Sequence, residues 1–228
     1  ISACLVGSEM CIRDRDWNGT LLNDVDLCFS CINRLLVSHD LKPLDTLSQY
    51  REVFTFPIED YYKRVGFDFD KIPFSMLAHE YMEDYQEKSY ACNLHSDVLD
   101  VVNKAKNLGF SQTVLSASKM DYLFKQMETL HVDDLFDSIY GINDIYAKSK
   151  VELAHAFKQT CSQDDEIYFV GDSVHDYEVA KSIGAKCILV TTGHQNRATL
   201  ESVNVPVMDS LMESLYLICL LYTSPSPR

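Results

Sequence analysis

The most constraining feature of this sequence is a series of short, continuously apolar segments that recur from about Leu94 onward. They cover residues 113–115, 138–140, 166–170 and 187–190, and segments with helical spacing of apolar residues separate them. A strand that is apolar along its whole length is buried on both faces, as in a parallel sheet that helices cover. The pattern predicts an α/β fold with a Rossmann-like parallel sheet core and helices on both faces.

The helical segments between these strands have recognisable ends. Residues 98–108 place apolar side chains at helical spacing, and Gly109 marks the end of that helix. Residues 119–130, 150–157 and 177–183 have the same character, and Gly184 follows the last of them. Strands and helices therefore alternate over the second half of the chain.

Residues 24–89 have a different character. They contain helical patterns over residues 25–37 and 73–85, many aromatic side chains and no convincing strand. Because this segment lies between an acidic turn and the rest of the sheet, we interpret it as an inserted, all-helical cap domain. The expected core then consists of residues 16–23 and 90–218.

Composition restricts the partners and the location. A net charge of −14 disfavours nucleic acids and anionic membrane surfaces as partners. The best apolar stretch, residues 211–222, is too short to span a bilayer. The eight cysteines are scattered, and a chain of 228 residues needs no disulfide framework, so we expect reduced thiols and a cytoplasmic location. We also expect a monomer or a homodimer.

The CxxC spacing of Cys28 and Cys31 lacks a second pair, which favours burial in a helix over a zinc site.

Four groups of polar residues fall at the ends of predicted strands or the starts of predicted helices, where open α/β sheets gather their reactive groups. They are, in chain order, Asp16 with Asn18 and Thr20, Ser116 with Ala117, one of the lysines Lys148 and Lys150, and Asp172 with Asp176. Each group alone is also explained by a turn or a helix cap. All four in this order are much harder to explain without a shared site.

The order and contexts of these groups resemble the four motifs of the haloacid dehalogenase superfamily, particularly its phosphoglycolate-phosphatase-like members with a helical (C1-type) cap. The resemblance spans residues 16–217. It implies a Mg²⁺-dependent phosphomonoester hydrolase that acts on a small phosphorylated metabolite. The resemblance also makes Asp16 the nucleophile, which forms an aspartyl-phosphate that water then hydrolyses.

The resemblance implies a role for each of the other positions. Mg²⁺ prefers oxygen ligands, and Asp16, the backbone carbonyl of Asn18, Asp172 and Asp176 would supply them, Asp176 either directly or through water. The phosphate and its transition state would be contacted by Ser116, Thr20, Ala117 and one lysine. Lys150 is preferred because it opens a helix, and Lys148 is the alternative.

One departure bears directly on activity. The family has a second aspartate, the general acid and base, where this chain has Asn18. An amide cannot exchange a proton near neutral pH, so a non-catalytic or weakly active phosphate-binding protein is the alternative reading. Dehalogenation and phosphonate cleavage are further alternatives. Dehalogenases of the family do not need the metal carboxylates Asp172 and Asp176, and phosphonatases use a cap lysine that the sequence does not identify. Two histidines lie near the predicted motifs. We expect His175 in a solvated loop. His194 follows the end of a predicted strand, and the sequence does not decide whether it reaches the site.

Both ends of the chain look foreign. Residues 2–15 and 219–228 resemble translated sequencing-adaptor read-through, so we expect a non-native head over residues 1–15 and a non-native, disordered tail over 219–228. Genuine flexible termini are the alternative. Arg13, Asp14 and Arg15 are also unfavourable in a central strand that should be apolar on both faces, which would place Asp16 poorly.

Overall fold

The computed structural model describes residues 10–11, 15–142 and 150–223. Its strands are β1 (Met10–Cys11), β2 (Leu22–Asn23), β3 (Asn93–Leu94), β4 (Thr113–Lys119), β5 (Ser138–Ile142), β6 (Glu166–Gly171), β7 (Lys186–Val190) and β8 (Val207–Met208). Its α-helices are α1 (Val25–Ser38), α2 (Leu47–Val53), α3 (Ile58–Arg64), α4 (Phe74–Ser89), α5 (Val98–Asn107), α6 (Met120–Thr129), α7 (Lys150–Thr160), α8 (Val174–Ser182), α9 (Arg197–Glu201) and α10 (Leu211–Thr223).

The core is a parallel sheet. β1 pairs with β6, β6 with β7 and β7 with β8, while β4 pairs with β5, and all of these pairs are parallel. Arg15 joins the two groups, because its backbone pairs in parallel with Val114 of β4 and with Val170 of β6. The order across the sheet is therefore β5-β4-Arg15-β6-β7-β8, and β1 pairs with β6 on the same side as Arg15.

Helices cover both faces of this sheet. On one face, α5, α6 and α10 bury a cluster that includes Val102, Met127 and Leu215. On the other face, α7, α8 and α9 bury a second cluster around Phe157 and Val179. This arrangement confirms the predicted α/β fold with a Rossmann-like core.

The helices α1 to α4 lie between β2 and β3 and have a hydrophobic core of their own. Ile32, Leu36 and Leu77 are fully buried in it, and many of the aromatic side chains of this segment pack around them. β2 and β3 pair in antiparallel fashion, so the two chain segments that connect the helical insert to the sheet run side by side. Cys28 and Cys31 are both buried on α1, as their helical spacing predicts.

Three details differ from the sequence-based expectations. Ser116 lies inside β4 rather than directly after it, because the pairing with β5 resumes at Lys119 beyond a break in register. The helix α8 begins at Val174, three residues earlier than predicted, because Ser173 and Asp176 form a capping box. The disorder predicted from residue 219 is wrong for residues 219–223, since α10 runs to Thr223 and Ile218 anchors it in the core.

The poor placement of Asp16 expected from a charged strand does not occur. The Arg15 N–H donates to Thr113 O and the Asp16 N–H to Val170 O, each at 3.0 Å, which fixes Asp16 between β4 and β6. The Arg15 side chain is buried, and its Nη1 donates to Gln112 Oε1 at 2.7 Å. Burial lowers the pKa of Arg15 to about 10, so the guanidinium still carries its charge at neutral pH. Arg13 and Asp14 lie outside the described residues.

No helix among the described residues has both the length and the apolar character that crossing a membrane requires.

The buried contact between Arg15 and Gln112 gives a testable prediction. Gln112→Met should lower the free energy of unfolding by about 1.5–3 kcal/mol, because the buried guanidinium loses its hydrogen-bond partner. Arg15→Met/Gln112→Met should recover most of that loss, because no charge then remains buried. Urea unfolding of the two variants and the parent protein measures both effects. A double variant that is less stable than Gln112→Met would contradict this account of the strand.

Candidate active site

Three carboxylates meet at the carboxyl edge of the sheet. Asp16 follows the strand path through Arg15, Asp172 follows β6, and Asp176 lies in the first turn of α8. One oxygen from each lies within 4.8 Å of the others. The structure therefore brings together three of the four residues predicted to bind the metal.

Lys150, the first residue of α7, joins two of these carboxylates. Its Nζ lies 2.9 Å from Asp16 Oδ1 and 2.5 Å from Asp176 Oδ1, and its side chain is only 2% exposed. Burial opposes the charged form of Lys150, yet the two carboxylates outweigh it and raise the pKa of Lys150 above its usual value. Lys148, the alternative phosphate lysine, lies outside the described residues.

Asp172 is held by the loop that follows β7 and by the first acidic turn. Its Oδ2 accepts from the backbone N–H of His194 at 2.7 Å, and its Oδ1 accepts from Thr20 Oγ1 at 3.0 Å. A Cβ at Gly19 would lie 2.5 Å from Asp172 Oδ2, and a Cβ at Gly193 would overlap the same side chain. The absence of side chains at these two positions leaves room for the carboxylate.

Asp176 is fully buried, and both of its oxygens have donors. Oδ1 accepts from Lys150, while Oδ2 accepts from the backbone N–H groups of Asp172 and Ser173 and from the Ser173 hydroxyl, at 3.1, 2.9 and 2.7 Å. These contacts fix the start of α8. They also fix the orientation of Asp176 toward the other two carboxylates.

The pKa values of the three carboxyl groups are shifted in different directions. Burial raises the pKa of Asp16 to about 7 against the opposing charge of Lys150. Burial also raises the pKa of Asp172 to about 6. Burial opposes ionisation of Asp176 as well, but the Lys150 ammonium holds the pKa of Asp176 below its usual value.

This donor set fits a divalent metal ion. Three buried carboxylates face one another with a single ammonium, Lys150, between two of them, so a further cation would stabilise their ionised forms. Hard oxygen ligands of this kind suit Mg²⁺. Asp16 and Asp172 have the raised pKa values expected of carboxylates that lack enough positive charge nearby.

Asn18 is fixed by hydrogen bonds on both ends of its amide. Its Nδ2 donates to Asp24 Oδ2 at 2.8 Å and lies 2.7 Å from the Tyr85 hydroxyl, while its Oδ1 accepts from Ser118 Oγ at 2.6 Å. The side chain therefore has one orientation, and it contacts the helical insert through Tyr85 of α4.

The remaining predicted residues lie around the same edge. Ser116 is fully buried in β4, and its Oγ accepts from the Ser118 N–H at 3.0 Å. Ala117 lines a cavity that opens above Asp16. Thr20 is buried against Asp172 through the contact described above.

Sequence reasoning missed a buried ion pair beside Asn18. His194 Nε2 lies 3.5 Å from Asp24 Oδ1, and its Nδ1 lies 2.8 Å from the Tyr50 hydroxyl. Burial disfavours both ions, but the pair holds the pKa of Asp24 at about 2 and raises the pKa of His194 to about 9. Asp24 precedes α1, and in the sequence it reads only as a helix start. The solvated loop expected for His175 is wrong: this residue lies in the first turn of α8, 3.3 Å from Glu178, and stacks on the Phe56 ring.

A cavity of about 190 Å³ connects this edge of the sheet with the helical insert. Its floor includes Asp16, Asn18, Lys150 and Asp172. Side chains of α3 and α4 and of the loop before α3 form the opposite wall. A molecule in the cavity would therefore contact both the acidic edge and the insert.

Comparison with known proteins points to one family. A family model described as haloacid dehalogenase-like hydrolase matches residues 16–190. A haloacid dehalogenase-like family protein from Streptococcus pneumoniae is similar in structure, with 18% identity, a TM-score of 0.77 and coverage of 92% of this chain and 98% of that one.

Two further structures are also similar. A predicted phosphatase from Clostridium acetobutylicum has 17% identity, a TM-score of 0.76 and coverage of 93% and 99%. CbbY from Rhodobacter sphaeroides, in complex with phosphate, has 17% identity, a TM-score of 0.62 and coverage of 91% and 96%. These likenesses concern the fold, and no curated protein matches the sequence.

Two glycines with nearly the same backbone conformation test the packing against Asp172. Gly19 and Gly184 have φ angles of 72° and 70°, but a Cβ meets Asp172 only at Gly19 and meets nothing within 4 Å at Gly184. Alanine at either position should cost about 1–2 kcal/mol of stability through the backbone alone. Only Gly19→Ala should also weaken Mg²⁺ binding, by about 10- to 100-fold, because it displaces a predicted ligand.

Thermal unfolding across a Mg²⁺ titration measures both quantities in the two variants. Gly184→Ala is the control for the strain of a left-handed alanine. Equal Mg²⁺ affinities in the two variants would show that the orientation of Asp172 does not depend on Gly19.

Proposed function

This chain belongs to the haloacid dehalogenase-like hydrolases, and we propose that it is a Mg²⁺-dependent phosphatase that hydrolyses a small phosphomonoester through an aspartyl-phosphate on Asp16. The observation that carries the proposal is the position of Asp16, beside Lys150 and two further carboxylates at the floor of a cavity. This arrangement supplies a nucleophile, a cation for the phosphate and oxygen ligands for a metal.

The orientation of Asp16 supports its role as nucleophile. Its Oδ1 accepts from the backbone N–H of Trp17 at 2.7 Å and from Lys150 at 2.9 Å, which fixes the direction of Oδ2. In the proposed reaction Oδ2 forms a bond to phosphorus, and the bond from phosphorus to the alcohol oxygen breaks. Bound Mg²⁺, held by Asp16, Asp172, the Asn18 carbonyl and Asp176, would screen the repulsion between the carboxylate and the phosphate.

The second half of the reaction regenerates the enzyme. Water attacks phosphorus, the bond to Asp16 breaks, and inorganic phosphate and the free carboxylate result. Lys150 stabilises the charge on the transferred phosphoryl oxygens, and the Ser116 hydroxyl and the Ala117 N–H add donors at the same edge. The Thr20 hydroxyl, which the sequence predicted as a further donor, already donates to Asp172 Oδ1 and orients that carboxylate instead. Lys148 remains a second candidate for the cationic contact.

The proposed reaction lacks an evident general acid to protonate the leaving alcohol. Asn18 cannot donate a proton, and its amide is fixed by Asp24, Tyr85 and Ser118. We infer that poor leaving groups react slowly and that phosphate binds regardless. This observation also favours the second candidate function, a non-catalytic or weakly active phosphate-binding protein of the same fold.

We further propose that the protein works in the cytoplasm on a small-molecule substrate. Free thiols at Cys28, Cys31, Cys92 and Cys187 support a reducing compartment.

The nucleophile is tested by Asp16→Asn. Phosphate release from p-nitrophenyl phosphate in Mg²⁺ should fall by about 10³-fold or more, because an amide does not attack phosphorus. Asp45→Asn, which changes an exposed carboxylate of a surface ion pair, should retain full activity. Release that persists in Asp16→Asn would refute the aspartyl-phosphate route. Undetectable release in the parent protein, with phosphate bound in calorimetry, would favour the binding protein.

The missing general acid is tested by Asn18→Asp. The introduced carboxyl would lie beside Asp24, about where the amide nitrogen is now, so the two groups would share a proton and one would stay protonated. Turnover of alkyl phosphates should rise by about 10²-fold, while aryl phosphates, whose leaving groups need no proton, should gain little. Steady-state kinetics on matched alkyl and aryl phosphates gives the ratio. Equal gains for both classes would mean that proton transfer is not the missing step.

A further inference from the structure

The wall of the cavity that faces the acidic edge consists mainly of aliphatic and aromatic side chains. It is formed by side chains from α3, α4 and the loop between α2 and α3, among them Phe54, Phe56, Ile58, Phe74 and Met82. These side chains are only partly buried; most of them pack against the core of the insert on one side and line the cavity on the other. A leaving group that enters the cavity would therefore contact hydrocarbon and aromatic rings.

Each described cation that lines the cavity already lies near a carboxylate. Among the described lining residues they are Lys119, Lys150 and His194, and no arginine is present. Lys119 lies 3.4 Å from Asp121 and His194 lies 3.5 Å from Asp24, while Lys150 is bound to the carboxylates of the site. Each described cation of the lining therefore already has a carboxylate partner, with which a carboxylate on the leaving group would have to compete.

Arg51 of α2 lies near the site but does not line the cavity. Its guanidinium donates to the backbone carbonyls of Gly193 and Thr192, at 2.9 and 3.3 Å. An anionic leaving group would thus lose its hydration in a largely apolar cavity whose described cations are already paired, which is unfavourable.

Four tyrosines of this wall, Tyr61, Tyr62, Tyr81 and Tyr85, add phenolic hydroxyls to it. Tyr61 is 3% exposed, and its hydroxyl is the one buried side-chain oxygen or nitrogen without a hydrogen-bond partner among the described residues. An unpartnered buried hydroxyl is costly unless a ligand completes it. A bound molecule with a hydrogen-bond acceptor would do so.

We propose that the cavity selects phosphomonoesters whose leaving group is uncharged and aromatic or aliphatic, with one hydrogen-bond acceptor for Tyr61. The size of the cavity agrees with this class, since an apolar cavity of about 150 Å³ holds a benzene molecule and this one measures about 190 Å³. The proposal rests on the proposed phosphatase function. It excludes small acid phosphates such as phosphoglycolate as preferred substrates.

Non-hydrolysable phosphonates test the proposal separately from turnover. Calorimetry on the full chain in Mg²⁺ would compare 2-phenylethylphosphonate with phosphonoacetate, which presents a carboxylate in place of the ring. The phenylethyl compound should bind at least about tenfold more tightly, because burial of one ring in an apolar site is worth at least an order of magnitude in affinity. Equal binding, or tighter binding of phosphonoacetate, would overturn the proposal.

The cavity wall itself is tested by adding a charge. Ile58→Arg should reduce or reverse the preference for the phenylethyl compound, because it supplies the missing cation at the wall. Val65→Arg adds the same charge to a partly buried apolar position of the insert that does not line the cavity, so its preference should match that of the parent protein. Thermal unfolding confirms that both variants are folded. An unchanged preference in folded Ile58→Arg would show that this wall does not choose the ligand.

Tyr61→Phe tests the hydrogen bond. The 3-acetyl or the 4-acetyl derivative of 2-phenylethylphosphonate should bind about 3- to 10-fold more tightly than the parent compound, and this gain should vanish in Tyr61→Phe. Binding of the parent compound should be the same in both proteins, and Tyr177→Phe, outside the cavity, should keep the gain. No gain for either derivative would remove Tyr61 from the proposal.

The two proposals fail in distinguishable ways. Tight binding of 2-phenylethylphosphonate without any Asp16-dependent phosphate release would refute the hydrolase and retain the ligand class. Asp16-dependent release that is fastest on phosphoglycolate would retain the hydrolase and refute the ligand class.

Discussion

The ammonium of Lys150 is the interaction on which the acidic edge of the sheet depends. It binds Asp16 and Asp176 at once, and it is almost completely buried. Without it, three carboxylates would face one another in a medium that stabilises charge poorly, and two of them already have raised pKa values. Lys150 is also the first residue of α7, so the position of this helix determines where the ammonium lies.

The same edge depends on close backbone approach. Asp172 occupies space that side chains at Gly19 and Gly193 would fill, and the His194 N–H holds its carboxylate. Asp176 serves both as helix cap and as member of the acidic cluster. The hydrogen bonds that orient the carboxylates of the site are therefore also the ones that fix the local backbone. For this reason the short motifs in the sequence predict which residues come together at the site.

Much of the fold could be predicted from the sequence, because continuously apolar strands and glycine helix ends are local signals. The cluster of Asp16, Asp172 and Lys150 was also predictable, since residues that follow parallel strands meet at one edge. What the sequence could not reveal depends on distant partners. The pairing of Asp24 with His194 joins residues 170 positions apart, and the buried Arg15 is hydrogen-bonded to Gln112, which is 97 positions away. Neither partner is marked by spacing or by a local pattern.

The helical insert and the acidic edge share one loop, and this couples them energetically. Arg51 and Tyr50 of α2 hold Gly193 and His194, and the His194 N–H in turn holds Asp172. A movement of the insert away from the sheet would break the contacts of Tyr50 and Arg51 to this loop. If the proposed metal binds Asp172, its binding and the position of the insert over the cavity would be coupled, and each would favour the other. Release of a molecule from the cavity and weaker metal binding would then accompany each other.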